Sequence, residues 1–225
     1  VENTDLTSAT VSRIVKKLIQ KGFVQEQGYG KSSGGRRPTL LKLNVEAGYA
    51  IGVSIEVSKI MGVIINLDGD IKYDRVIKYN NRNKNIDEDD IIKYLDQILN
   101  QLLNSDIKND KILGIGLGVH GLVNYKEGVA VYPPAFEWSN LPLADILHKK
   151  YKIPVVVDNN DRVLAVGEKL YGEAQEKDNF ISVKVGEGIG SGIYIKDEIY
   201  RGISNTSGEI GHTIVDQNGK LCRCG

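Results

Sequence analysis

The chain has 225 residues, 41% hydrophobic and 26% charged, with 29 basic side chains balancing 29 acidic ones. That is an ordinary globular composition, long enough for a sizeable apolar core. No apolar run approaches bilayer length and no secretory signal is visible in the first residues, so a cytoplasmic protein without a membrane span is the expectation.

Zero net charge taken alone argues against a nucleic-acid binder, but the charge is unevenly placed. Residues 1–43 hold eight basic and three acidic side chains, so this head is +5 and the remainder −5. A basic head on an acidic body points to a polyanion-binding module joined to something else. Within the head, residues 7–21 predict a helix. Thr7 can cap it, Val11, Ile14, Val15 and Leu18 form a stripe at helical spacing, and Gly22 ends it. Short strands over 23–27 and 39–43 flank a tip at 28–38 rich in Gly, Ser, Lys and Arg.

From Gly48 the pattern changes. Residues 50–57, 59–67 and 71–79 predict three consecutive strands, the last two joined by an Asp68-Gly69 turn. Residues 87–103 predict an amphipathic helix with an acidic first turn and Ile91, Leu95, Ile98, Leu99 and Leu102 on its apolar face. A buried-type strand at 112–119, a helix at 143–150, a strand at 155–157 and a helix at 160–170 follow. Further strands are expected at 180–185, 192–195 and 198–200. Three strands, then alternating strands and helices, then a second similar start imply an α/β fold of two related lobes. There is no initiator Met, and the chain stops after a Cys-rich turn, so truncation at both ends is expected.

Small hydroxyl side chains near the start of the first helix (Ser8, Thr10 and Ser12), followed by Arg13 and Lys16, suit a helix that meets base edges and phosphates. Lys31, Arg36 and Arg37 would add mobile cations from the hairpin tip. A plain amphipathic helix with a solvated basic face accounts for the helix alone; helix, Gly cap, strand and Arg-rich hairpin in this order favour DNA binding. The stretch LTSATVSRIVKKLIQKGFV followed by GKSSGGRRPTLLKLN resembles the winged helix-turn-helix of ROK-family repressors (repressor, open reading frame, kinase), with the helix before the turn largely missing.

The two cysteines, Cys222 and Cys224, are too close for an ordinary structural disulfide, and a cytosolic metal site is the better expectation. Gly208-Glu209-Ile210-Gly211-His212 with Cys222-Arg223-Cys224-Gly225 resembles the signature of the ROK sugar-kinase domain. The resemblance implies actin-like, RNase H-like lobes. It also implies a structural zinc held by His212, Cys222 and Cys224, whose fourth ligand lies beyond Gly225. A satisfied buried histidine is the default for a lone His; the Cys-x-Cys ten residues on argues for the metal. Glu209 would accept from sugar hydroxyls, and the turn at His120 and Gly121 would lie beside the sugar, although a structural turn explains His120 equally well.

Kinases of this family use the Asp of a Glu-Asn-Asp-Ala-Asn-like segment as base. Here the segment is Asp158-Asn159-Asn160-Asp161-Arg162, so Asn159 is kept for the sugar while Asn160 stands where the base would be. An amide can hold a sugar hydroxyl but cannot take its proton, and Asp161 is expected to project elsewhere on the helix. The first phosphate turn becomes Ser54-Ile55-Glu56-Val57-Ser58, without its glycines, and the second becomes Gly186-Glu187-Gly188-Ile189-Gly190. ATP is therefore not expected. The reading is a winged helix-turn-helix (1–44), a first ROK lobe (45–170) and the start of a second (171–225). It is expected to be a repressor that binds operator DNA and a monosaccharide inducer (xylose on family habit), as a homodimer or higher homo-oligomer with no membrane partner. The alternatives are an ATP-dependent ROK sugar kinase with a regulatory head, or a sugar-binding scaffold that does not touch DNA.

Overall fold

The computed structural model describes residues 5–30, 37–79 and 86–222. The expected Lys31, Arg36 and Cys224 sites lie outside the described residues.

The head is α1 (Ser8–Gln20) followed by an antiparallel hairpin of β1 (Val24–Tyr29) and β2 (Thr39–Leu43). Thr7 caps α1 by accepting from the Thr10 amide, and Gly22 turns the chain out with φ +78. Asn44 ties the base of the hairpin to the helix end by donating to the Gly22 carbonyl at 2.9 Å. The expected apolar stripe is only half covered: no residue of α1 is fully buried, and Ile14 and Leu41 stay 40% and 46% exposed. A two-stranded hairpin offers too little surface to bury a helix face.

The main sheet has the order β5-β4-β3-β6-β9, built from β3 (Tyr49–Ile55), β4 (Lys59–Asn66), β5 (Ile71–Lys78), β6 (Ile112–Val119) and β9 (Val155–Asn159). The first three form an antiparallel meander, and β6 and β9 run parallel to β3. Alternation makes the core: Tyr49, Ile51, Val53 and Ile55 of β3 point inward at every second position. The crossover helix α2 (Glu88–Leu103) buries Ile91, Leu95, Ile98, Leu99 and Leu102, the face expected from its spacing. Asp87 caps it by accepting from the Asp90 amide at 2.9 Å, and acids in its first turn oppose the helix dipole. Gly62 lets α2 lie close to the sheet; a Cβ there would come within 2.8 Å of Leu102.

A small antiparallel hairpin, β7 (Leu122–Asn124) and β8 (Val129–Tyr132), was not anticipated from the sequence. It precedes α3 (Leu143–Tyr151), which packs on β9. Then α4 (Asn160–Tyr171) leads into a second antiparallel sheet of β10 (Phe180–Val185), β11 (Ile189–Ile195) and β12 (Glu198–Ile199). Helix α4 is the shared wall, touching β6 and β9 on one side and β10 and β11 on the other. A Cβ at Gly192 would lie 2.5 Å from both the Asp161 carbonyl oxygen and Ala165 Cβ, so β11 and α4 meet almost backbone to backbone. None of the helices among the described residues is long and apolar enough to cross a membrane.

Candidate functional site: a cleft between two sheets

Strands β3, β6 and β9 are parallel, so their carboxyl ends share one edge of the main sheet, where open α/β sheets place their ligands. A small, partly open cleft lies there. Glu56 and Val57 after β3, His120 after β6 and Asp161 in the first turn of α4 line one side. Lys184 and the glycine-rich turn from Glu187 to Gly190 line the other.

One ion pair spans the cleft. The Lys184 ammonium donates to both Glu56 carboxylate oxygens, at 2.8 and 2.9 Å. The Ser54 hydroxyl lies 3.0 Å from Glu56 Oε1 and 3.1 Å from Asn160 Oδ1 and can share its proton between them. Tyr79 donates to the Glu56 backbone carbonyl and fixes the turn from behind. Burial works against the charge of Glu56, but the Lys184 ammonium, supported by Ser54, outweighs it and holds the carboxyl below its ordinary range. Burial depresses His120 despite the nearby carboxylates of Asp161, Glu56 and Glu209. It raises Asp161 despite Lys184.

The six sugar candidates occupy different places around this cleft. His120 lines it, with its Cε1 3.8 Å from where a Cβ on Gly188 would sit. Asn159 is the N-cap of α4: its Oδ1 accepts from the Asp161 and Arg162 amides, and its Nδ2 donates to the Gly121 carbonyl at 2.8 Å. It thereby locks the His120-Gly121 turn to the helix. Asn160 is buried, and its amide is committed within the protein. Its Nδ2 donates to the Ile55 carbonyl at 2.9 Å, while its Oδ1 faces Ser54. Asp161, expected to project elsewhere, is instead the α4 side chain that lines the cleft, because the Asn159 cap fixes the rotation of the first turn. A Cβ on Gly190 would sit 1.9 Å from Asp161 Oδ2, so that glycine makes room for it.

Glu209 and His212 lie on a loop pinned to β11, where the Ser191 amide and hydroxyl both donate to the Gly208 carbonyl. His212 Nε2 is 3.5 Å from Glu209 Oε2, and its Nδ1 is 3.9 Å from Cys222 Sγ. Among the described residues no group of three or more His, Cys, Asp or Glu side chains is placed to hold a metal. In the head, Ser8, Ser12, Arg13, Lys16 and Arg37 are exposed and Thr10 is half-buried.

Sequence reasoning missed a second polar cluster beside the cleft. Asp158 accepts from Arg162 at 3.5 Å and also from Arg201, whose guanidinium lies 3.8 Å over the Tyr125 ring. Arg162 is only 2% exposed and donates to the Asn205 carbonyl, stapling α4 to the loop after β12. Lys184 was missed too. Its signal is parity: in β10 the polar Ser182 and Lys184 are half-buried while Ile181, Val183 and Val185 face out.

The ROK family model matches residues 50–225. The chain is 36% identical to a xylose repressor from Caldicellulosiruptor bescii over 98% of its own length and 55% of that protein's. A ROK family transcriptional regulator, a homologue of the E. coli MLC protein, superposes with a TM-score of 0.80 at 26% identity, covering 98% of this chain and 55% of that one. A ROK family glucokinase from Streptomyces griseus, solved with glucose and AMPPNP, gives 0.70 at 28% identity over 79% of this chain and 54% of that one. The chain thus spans about half the length of the relatives it matches.

Proposed function

The chain belongs to the ROK family, and on that premise we propose that it acts as a sugar-responsive transcriptional repressor whose kinase-like cleft binds a sugar without phosphorylating it. The observation that carries this reading is the state of Asn160. By the family resemblance it takes the place of the catalytic base, and both ends of its amide are tied to β3. The names of the relatives support the repressor half, since a xylose repressor matches nearly the whole chain.

In this proposal residues 1–44 form the DNA-reading head. The exposed hydroxyls and cations of α1 (Ser8, Thr10, Ser12, Arg13 and Lys16) meet the major groove, and Arg37 with its neighbours in the hairpin grips phosphates. The sugar is held between the two sheets by the His120-Gly121 turn, Asn159, Asp161 and Glu209. Helix α4 packs on both sheets, and in this proposal closure of the cleft on the sugar moves one sheet relative to the other. That movement changes the relative pose of two heads in a homodimer. The sugar shifts the equilibrium only by its preference for the DNA-incompetent pose.

A structural zinc fits the His212 and Cys222 pair. Two ligands of one tetrahedral ion, a sulfur at about 2.3 Å and a nitrogen at about 2.0 Å, stand about 3.5 Å apart; the observed separation is 3.9 Å. Zinc would fix the ring of His212 with Nδ1 on the metal and leave Nε2 toward Glu209, a carboxylate placed as metal-bound histidines require.

One observation favours a second reading. Asp161 brings a carboxylate into the cleft next to Asn160, and a sugar kinase could use it as base. Coupled ADP release with a sugar panel, run beside operator-shift assays on the full chain, separates the two. Turnover abolished by Asp161→Asn would establish the kinase; operator release by sugar with no ADP formed would establish the repressor.

A further inference from the structure

We infer that the cleft contains an anion seat occupied by the protein's own Glu56, and that its ligand is consequently an unphosphorylated sugar rather than a sugar phosphate or a nucleotide. The seat itself is independent of the sugar reading; the identity of the ligand rests on it.

The donors of an anion site are all present. Lys184 supplies an ammonium, and Ser54 supplies a hydroxyl at the end of β3. Gly188 presents bare backbone to the cleft from the same wall as Lys184, beside Glu187 and Ile189. Ammonium, hydroxyl and a glycine-lined turn are a common way to hold a phosphoryl group. Here the seat is filled: both Glu56 oxygens bond the ammonium, and Ser54 bonds one of them. The carboxylate is not a casual surface partner. Its side chain is 15% exposed, against 33% for Lys184, and its backbone is clamped by the Tyr79 hydroxyl, which donates to its carbonyl, and by the hydrogen bond its N–H donates to the Lys59 carbonyl.

An incoming phosphate would have to displace Glu56 from Lys184, the one cation among the described residues lining this cleft. It would then face Asp161 and Glu187 as well. Desolvating an anion against like charges is strongly unfavourable. A neutral sugar meets no such barrier: its hydroxyls can donate to Asp161, and one can approach the His120 ring, which burial favours uncharged. The charges that reject phosphate are thus the acceptors a polyol needs.

Inorganic pyrophosphate, titrated calorimetrically in magnesium-free buffer, tests the seat directly on the full chain. Wild type is expected to show no binding at millimolar concentrations. Glu56→Ala, which empties the seat and frees Lys184, should gain affinity by about tenfold or more. Adding Lys184→Met to that variant should abolish the gain. Wild-type binding as tight as that of Glu56→Ala would overturn the proposal. So would a Glu56→Ala variant with native circular dichroism and no gain.

A second arm compares glucose with glucose 6-phosphate, and N-acetylglucosamine with its 6-phosphate, on wild type. Preference for the neutral member of a pair supports the ligand assignment, and preference for the phosphorylated member refutes it. If neither pair binds and xylose also fails, the sugar reading falls, while the pyrophosphate arm still decides the seat.

Discussion

Asn160→Asp sets a carboxyl where the proposed function places the lost kinase base and is expected to restore no catalysis. The amide nitrogen of Asn160 donates to the Ile55 carbonyl at 2.9 Å, and the residue is 8% exposed. An isosteric carboxyl would set one oxygen against that carbonyl oxygen while the other kept its contact with Ser54. Losing the donated bond and leaving two buried acceptors face to face costs about 2 kcal/mol. The introduced group can escape by keeping its proton, which can then donate to Ile55. Its pKa in the folded state is therefore raised above the ordinary Asp value. The sign follows. The neutral form is fully compatible below the unfolded value, and stability is lost as pH rises through the folded one. Urea unfolding should show the variant close to wild type at about pH 4 and about 2 kcal/mol weaker at about pH 8. Coupled ADP release should stay at background with every sugar tried. Equal stability at both pH values, or turnover by the variant, would refute the placement of this side chain.

Three further expectations concern other parts of the molecule. Gly192→Ala pushes a methyl against the Asp161 carbonyl and Ala165 Cβ, neither of which can swing aside, and should cost about 1–3 kcal/mol, lowering the melting temperature by about 2–4 °C per kcal/mol. Arg13→Ala and Arg37→Ala should each weaken operator binding, and each phosphate contact removed should flatten the slope of log affinity against log salt by about one unit; unchanged slopes for both would remove α1 and the hairpin from the DNA. Glu46, hydrogen-bonded first by Lys72 and then by Tyr49 and Asn66, is lowered from 4.5 to about 2, so the stability it contributes is present above the ordinary carboxyl range and is lost as pH falls through that window. Its side chain is 45% exposed and screened by solvent, so the effect is small: thermal melts of wild type should drop more steeply over that window than those of Glu46→Gln, and high salt should narrow the difference.

The fold was legible where periodicity was long. The five buried positions of α2 follow from sixteen residues of helical spacing, and β6 and β10 begin and end where their patterns do. The β7–β8 hairpin was not legible, because strands of three and four residues carry almost no alternation and lie in a run rich in glycine and proline further on. At the site, residue types and their order pointed to Asn159, Asn160 and Glu56. What each side chain does there depends on partners remote in the sequence. Glu56 was legible only as part of a phosphate turn without its glycines, yet it is the partner of a lysine 128 residues away. Asp161 looked misdirected by helix geometry, yet the Asn159 cap turns it into the cleft while Asn160 is drawn back to a strand 105 residues earlier. Spacing along one helix cannot reveal which of two adjacent polar residues the sheet will claim.

Operator binding by the full chain, followed by fluorescence anisotropy on a labelled duplex from the promoter beside its own gene, tests the repressor function most directly. With xylose, or another neutral monosaccharide, operator affinity should fall by about tenfold or more, and ATP should neither change that response nor be consumed. An operator affinity indifferent to every sugar, with ADP accumulating in the same tube, would contradict it.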